Sequence, residues 1–218
     1  MDVLLSTRRP GGGGKGFFGK DTVQENPSIT PANTAQDPHV CSRCADMGRT
    51  CCNLTPGQEE LCFPLSGIEM DRIGDFTGRR GWFTQEPNTE AFLGFMTKLF
   101  PGEEHLVRRL FHPRKSHYRL ATLPDGSCKM LGEHGCRLPR EARPYYCRLF
   151  PLWFSGESPM ALAGNCLAVS ESRGTAALLR SMDMSRRTAR DLFSRLRMAW
   201  GLPPEKGMEN VTIRLKQD

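Results

Sequence analysis

This chain of 218 residues contains nine cysteines, whose thiol side chains could act together as ligands of a metal. Cys41 and Cys44 form a C-x2-C pair. This spacing lets two thiolates bind one metal ion while backbone amides between them donate to sulfur. Cys51 and Cys52 are adjacent, and successive side chains of an extended segment point to opposite sides. We therefore expect either that one of the two binds and the other packs, or that each serves a different centre.

The remaining cysteines lie at positions that suit metal binding, with one exception. Cys128 and Cys136 lie on a tight hairpin, Cys147 follows in a short helical turn, and Cys166 comes further on. Cys62 lies inside an apolar run, and cysteine is also a small buried hydrophobe, so we expect Cys62 to pack. The candidate metal ligands, called the candidate ligands below, are Cys41, Cys44, Cys51, Cys52, Cys128, Cys136, Cys147 and Cys166.

The start of the chain has no pattern of a secretory signal. Only Val3, Leu4 and Leu5 are apolar before Arg8, and no later stretch approaches the roughly 20 apolar residues of a spanning helix. The sequence therefore predicts a cytoplasmic protein without a membrane segment. Disulfides do not persist in a reducing cytoplasm, so a cysteine-rich chain there favours metal ligation. No serine-nucleophile motif is present, and enzymatic activity stays open.

The second half of the cysteine pattern resembles a known family. Cys128-x7-Cys136 is followed by Arg143-Pro144, Cys147-Arg148 and Phe150-Pro151. This order closely resembles the bacterial YkgJ-type cysteine-cluster family, whose members are described as zinc- or iron-chelating. The resemblance implies metal binding without implying a particular reaction.

The first half is similar to the opening C-x2-C-x3-C-C signature of that family. It departs from the signature because six residues, Ala45 to Thr50, separate Cys44 from Cys51. Cys166 falls where the family often has a further cysteine. The resemblance extends over about 41–174. It implies zinc or an iron–sulfur cluster as the cofactor, with a 4Fe–4S cluster as the favoured cluster type.

A centre with four thiolates carries negative charge, which nearby arginines can compensate. Arg137, Arg143 and Arg148 lie beside candidate ligands in the sequence, and they can either face the centre or bond the backbone. Cys147 comes early in a helical turn that starts at Pro144. The positive end of the helix dipole should favour its thiolate over its thiol.

Three functions are compatible with this pattern. The first is a metal-binding protein whose metal is structural, stored, delivered or sensed, in one centre or two. The second is an iron–sulfur enzyme or redox protein, because the same region resembles part of the flagellin lysine-N-methylases. The third and least favoured is a zinc-stabilised nucleic-acid-binding module, since 106–148 contains ten basic residues against three acids. A protein partner stays unspecified.

The elements that must position these residues indicate an α+β fold, a small irregular cysteine-rich metal-binding domain with short hairpin strands and flanking helices. We expect a disordered Gly/Pro-rich tail over 1–37, the cysteine domain over 38–170 and a mainly helical extension over 171–218. A helix after Cys62 is indicated because Ser66 and Glu69 have capping-box spacing. Apolar residues at helical spacing predict further helices over 90–100, from 103 and over 185–200.

Shorter periods predict a hairpin between the helices. Tyr118 to Leu123 reads as one strand, Pro124-Asp125-Gly126 as a turn, and Cys128 to Leu131 as a second strand. The helical turn from Pro144 should end before Pro151. The last helix, 185–200, should pack against the cysteine domain through its apolar face.

Overall fold

The computed structural model describes residues 38–48, 50–59, 62–78 and 81–204. The predicted tail over 1–37 and the end of the predicted C-terminal extension lie outside the described residues. Those that are described combine helices with small antiparallel strand pairs, which confirms the α+β prediction. None of the helices in this part of the chain is both long and apolar enough to cross a bilayer.

The elements are short and follow one another closely. The helices are α1 His39–Asp46, α2 Gly67–Thr77, α3 Glu90–Leu99, α4 Glu104–Leu110, α5 Tyr145–Leu149, α6 Leu167–Glu171, α7 Thr175–Ser181 and α8 Arg186–Ala199. The strands are β1 Phe83–Pro87, β2 Ser116–Leu120, β3 Leu131–Gly132, β4 Gly135–Cys136, β5 Leu152–Ser155 and β6 Ser158–Ala161. They pair antiparallel as β1 with β2, β3 with β4, and β5 with β6.

Side-chain caps fix where the longer helices begin. At α2 the Ser66 hydroxyl accepts from Glu69 N–H at 3.3 Å, and the Glu69 carboxylate accepts from Ser66 N–H at 2.9 Å. This is the predicted capping box, in which two N–H groups that lack helical partners are satisfied. Thr89 and Ser185 cap α3 and α8 with their hydroxyl oxygens. The helices predicted over 90–100 and 185–200 are confirmed to within one residue at each end.

The strand predictions hold only in part. The strand predicted over 118–123 forms as β2, two residues earlier, and pairs with β1 rather than with the following segment. The second strand, predicted over 128–131, is wrong: Cys128 makes only an isolated bridge with Thr122. Leu131 and Gly132 turn away because they pair with β4 instead. The hairpin of β5 and β6 was not expected.

Apolar side chains form two clusters, and the cysteines pack along the edges of both. The larger cluster combines α3, α5, β5 and α8, and Cys41 and Cys166 pack against it. The smaller cluster lies between α2, β2 and the loop after it, and Cys128, Cys136 and Cys147 pack against it. Because α8 contacts α5 and β5, the predicted packing of the last helix against the cysteine region is confirmed.

A buried carboxylate ties α2 to α5. Glu69 is 0% exposed, and its Oε1 accepts the backbone N–H of Tyr145 at 2.7 Å. The other oxygen, Oε2, accepts from the N–H and hydroxyl of Ser66. A buried carboxylate is stable only when its oxygens are satisfied in this way. Glu69 therefore fixes the start of α5, the helix that carries Cys147.

Replacing Phe193 of α8 tests how much the larger apolar cluster contributes to the stability of the fold. It is 0% exposed and its ring centroid lies 5.0 Å from that of Trp153. Phe193→Ala should lower the free energy of unfolding by about 3–5 kcal/mol, because a buried ring is replaced by a cavity. Urea unfolding measures the loss. Phe76→Ala is the matched control, since Phe76 is 42% exposed, and an equal loss in both variants would contradict this packing.

Candidate metal centre

The candidate ligands come from short elements spread along the chain. Cys41 and Cys44 lie on α1, Cys51 and Cys52 in the turn that follows, Cys128 before β3, Cys136 on β4, Cys147 on α5 and Cys166 at the N-cap of α6. The nine cysteines all lie in the part of the chain that the structure describes, and none of them is joined in a disulfide. None of them is therefore committed to a disulfide that would remove it from a metal site.

Backbone pairing brings the two halves of the cysteine pattern together. Cys128 N–H donates to Cys52 O at 2.7 Å, and Leu54 N–H donates to Gly126 O at 2.9 Å. Asn53 and Ser127 form an isolated antiparallel bridge between these bonds. Gly126 has a φ of +84°, and a Cβ there would lie 2.1 Å from Leu54 O. Only glycine allows the two segments to approach this closely.

The side chains of Cys51 and Cys52 do not point to opposite sides, as was expected for an extended segment. They lie in a turn rather than an extended segment, and their thiols form a hydrogen bond with each other. The Thr50 hydroxyl accepts the N–H of Cys52 at 3.0 Å, which stabilises the turn. The hydrogen bond with Cys52 raises the pKa of Cys51, and so does repulsion by Cys147 and Cys41, although Cys51 itself is exposed. Both adjacent thiols therefore face the same neighbourhood.

Helices α1 and α6 bring Cys44 and Cys166 together. Arg43 on α1 forms a two-bond ion pair with Glu171 on α6, with Nη1 donating to Oε1 at 3.2 Å. Burial raises the pKa of Cys44, as do the nearby Cys166 and Cys52 thiols, while the backbone N–H of Leu167 donates to its sulfur and lowers it. An N–H donor of this kind stabilises a thiolate.

Cys128 and its neighbours form the other side of the neighbourhood. Burial raises the pKa of Cys128 from 9.0 to about 12, and repulsion by Cys52, Cys136 and Cys62 adds to the increase. The backbone N–H of Met130 donates to its sulfur and partly opposes the increase. Cys62, expected only to pack, therefore lies beside a candidate ligand.

The expected stabilisation of the Cys147 thiolate by the helix dipole does not prevail. Burial raises the pKa of Cys147 well above its ordinary value, and the Cys52, Cys136 and Cys128 thiols raise it further. The side-chain hydrogen bond with Tyr146 lowers it only partly. Helix α5 has five residues, so its dipole is small compared with the cost of ionising a desolvated thiol.

Cys52 is the common neighbour of these groups. Its charge acts on Cys44, Cys51, Cys128 and Cys147, and through them every candidate ligand belongs to one connected set. Even so, no group of three or more His, Cys, Asp or Glu side chains among the described residues is arranged to hold a metal ion. Charges act over longer distances than a Zn–S bond of about 2.3 Å. Thiol ligands suit a thiophilic metal such as zinc or iron, but the described side chains do not form a closed ligand shell.

The arginines beside the cysteines bond the backbone. Arg143 Nε donates to Leu138 O at 2.8 Å and its Nη2 to Cys136 O at 3.3 Å. Arg137 Nη2 donates to Leu131 O at 3.1 Å. Arg137 and Arg143 thus bond the backbone, which is one of the two roles expected for them. Both arginines thus hold the loop that carries Cys136.

Sequence reasoning missed the groups that contact the sulfurs. The Tyr146 side chain bonds the Cys147 thiol, and the N–H groups of Met130 and Leu167 donate to Cys128 and Cys44. Backbone donors have no sequence signal, because any residue other than proline can supply them. For Tyr146 the only signal was its place next to Cys147.

Comparison with known proteins adds no relative. The chain matches no protein-family model, and neither the curated proteins nor the solved structures gave a match. The resemblance to the YkgJ-type family therefore stays a prediction that rests on the motif residues themselves.

Gly126→Ala tests the backbone pairing between the two halves. The new Cβ would meet Leu54 O, so the segments must separate and the free energy of unfolding should fall by more than the about 1–3 kcal/mol of backbone strain alone. Gly156→Ala is the control, because Gly156 also has a positive φ, +57°, but nothing within 4 Å of a Cβ. Urea unfolding compares the two, and equal losses would contradict the close approach.

The thiol of Cys128 should make the metal-free protein sensitive to alkaline pH. Its pKa is raised from 9.0 to about 12 in the fold, so between these values the unfolded chain loses the proton first. The unfolded state then binds fewer protons than the folded state. The free energy of unfolding is therefore at its full value below about pH 9 and falls as the pH rises towards 12. Urea unfolding of metal-free protein across this range should show a smaller decrease for Cys128→Ser. An equally steep decrease in that variant would contradict the assignment.

Proposed function

We propose that this chain is a cytoplasmic, YkgJ-type metal-binding protein that holds zinc or an iron–sulfur cluster through the candidate ligands. The observation that carries the proposal is the common neighbourhood of their thiols around Cys52, although they come from widely separated segments. Cysteines that only filled the core would have no reason to gather. None of the candidate ligands is joined in a disulfide.

The electrostatics of the thiols support a cationic ligand. Burial, mutual repulsion or both raise the pKa of Cys44, Cys51, Cys128 and Cys147, which means that the fold disfavours several thiolates without added positive charge. A bound metal cation reverses this balance, because a coordinating thiol is deprotonated. Binding then releases protons, so metal affinity should rise with pH.

The local donors suit the thiolate state. The N–H groups of Leu167 and Met130 point at the sulfurs of Cys44 and Cys128. Hydrogen bonds to sulfur tune metal–thiolate centres. A closed ligand shell requires rotation of cysteine side chains, and staggered rotamers allow such rotation without a change of backbone. The metal would thus complete the arrangement and add its binding free energy to folding.

The number of thiols bears on the type of centre. A structural zinc site takes four ligands, and a cubane cluster also takes four cysteines. The candidate ligands therefore suffice for two such centres, or for one with spare thiols. Closed all-thiolate zinc would suit a structural, storage, delivery or sensing role. An iron–sulfur cluster would favour the alternative of a redox protein or an enzyme related to flagellin lysine-N-methylases.

The basic residues give little support to a nucleic-acid-binding module. Arg119 is buried and pairs with Glu86 at 2.6 Å, and Arg108 pairs with Glu90 at 3.1 Å. Arg137 and Arg143 bond backbone carbonyls. Of these four arginines, Arg108 and Arg119 are paired with carboxylates, which reduces the positive charge that they offer to a phosphate backbone.

Cys147→Ser should lower bound metal and stability together. Loss of a group that only supports a ligand costs about 10- to 100-fold in metal affinity, and loss of a ligand should cost more. Cys62→Ser is the matched control, because Cys62 is the one cysteine outside the candidate ligands. Metal and acid-labile sulfide are measured on protein purified without oxygen, together with the visible spectrum and the melting temperature.

The outcomes separate the alternatives. Iron with matching sulfide and a bleachable brown colour identifies an iron–sulfur centre, whereas colourless protein with zinc identifies a zinc centre. Unchanged metal in Cys147→Ser would remove that residue from the site. Folded protein that carries no metal in either preparation, with its thiols free, would rule out the proposed function.

A further inference from the structure

A buried histidine outside the proposed metal centre lies where β1, β2 and α3 meet. His117 on β2 is 6% exposed, and it stands opposite Glu86 in the pairing of β2 with β1. Its ring stacks on the ring of Phe92 on α3, with the centroids 3.9 Å apart and 10° between the planes. Phe92 belongs to the larger apolar cluster. The imidazole of His117 therefore packs as an aromatic ring of the core.

Hydrogen bonds fix which ring nitrogen carries the proton. The side-chain nitrogen of Asn88 donates to His112 O at 3.0 Å, so the Asn88 Oδ1 is the atom that faces His117 Nδ1, at 2.8 Å. An amide oxygen can only accept, and Nδ1–H must therefore be the donor. In the neutral ring Nε2 then holds a lone pair. Nε2 is buried and has no hydrogen-bond partner among the described residues.

Asn88 joins this histidine to the rest of the fold, and we call the two residues the His117–Asn88 pair. Asn88 comes directly before Thr89, the N-cap of α3. Its backbone N–H donates to Lys115 O at 2.9 Å. His112 and Lys115 are exposed residues that contribute their carbonyl oxygens to Asn88. The pair thus connects the start of α3 with β2 and with the loop that leads into it.

The surroundings of His117 disfavour a positive charge on its ring. Burial lowers the pKa of His117 from 6.5 to about 4, Glu86 opposes this decrease, and Arg119 adds to it. Arg119 Nη2 donates to Glu86 Oε1 at 2.6 Å, so this carboxylate already has a cationic partner. On α3, Glu90 pairs with Arg108. The nearby N-terminus of α3 is the positive end of its helix dipole, which also disfavours an imidazolium.

We propose that the His117–Asn88 pair is an acid-sensitive contact, which holds β2 on α3 while the ring is neutral and opens when Nε2 takes a proton. In the folded arrangement, protonation would create a charged N–H without an acceptor among the described residues. Such a group is costly to keep in a core. The ring must then leave Phe92 and turn towards water, and its hydrogen bond to Asn88 breaks with it. The inference does not depend on the proposed metal function.

Urea unfolding of the full chain in neutral and mildly acidic buffer tests this contact. Between the unfolded pKa of 6.5 and the folded pKa of about 4, the unfolded chain binds the proton first. The free energy of unfolding is therefore at its full value above about pH 6.5 and falls as the pH falls towards 4. Between about pH 7.5 and about pH 4.5, His117 alone should raise the unfolding equilibrium constant about 10- to 100-fold.

His117→Gln should lack this part of the increase, because its amide does not titrate. Acidic groups and any bound metal respond to pH in both proteins, so the difference between them isolates the histidine. His105→Gln is the matched control: His105 is exposed on α4, and its variant should keep the full increase. An equal increase in the wild type and in His117→Gln would overturn the proposal.

Two measurements on the wild type keep the proposal testable if His117→Gln does not fold. In an NMR titration, the His117 ring should stay neutral at a pH where the His105 ring is already protonated. Protonation of His117 near its ordinary pKa of 6.5 in the intact fold would contradict the proposal. In hydrogen exchange, amides of β2 should lose protection in acid before those of α8, because the opening is local. Loss of protection in both elements together would overturn the local opening.

Discussion

The contact between residues 52–54 and 126–128 is the constraint on which the cysteine neighbourhood depends. Its two backbone hydrogen bonds, of 2.7 and 2.9 Å, join segments that lie far apart in the sequence. Gly126 makes the approach possible, since a Cβ would collide with the carbonyl of Leu54. Cys52 is thereby fixed beside Cys128, and Cys51 follows because it shares the same turn. The Arg43–Glu171 ion pair between α1 and α6 then brings in Cys44 and Cys166.

Bringing these thiols together has an electrostatic cost, which favours their protonated state. Burial removes water from Cys128 and Cys147, and each thiolate would repel the next, so the pKa of both is raised. Protonated thiols are small and weakly polar, and in this state they pack against the smaller apolar cluster at low cost. A cation would change which protonation state is favoured without requiring a different fold. The proposed metal binding would therefore require a change of protonation and of side-chain rotamers, and not a different backbone.

Local sequence signals predicted the longer helices. The strand pairing and the environment of the cysteines depend on distant contacts, which have no such signal. The capping box at Ser66 located α2, and apolar periodicity located α3 and α8, because both signals lie in or next to the helices themselves. The partner of β2 lies before α3 and α4, a pairing with no local signal. The raised pKa of Cys147 likewise depends on distant thiols. The choice of ligands from the cysteine spacing stays a prediction, and the turn at Cys51 differs from the extended segment expected for the adjacent pair.

Helix α5 connects the two apolar clusters of the molecule. In five residues it contributes Tyr145 and Leu149 to the larger apolar cluster and Cys147 to the smaller one. Glu69 fixes its first turn from α2. A helix this short can contact both clusters because neighbouring residues on it face different sides.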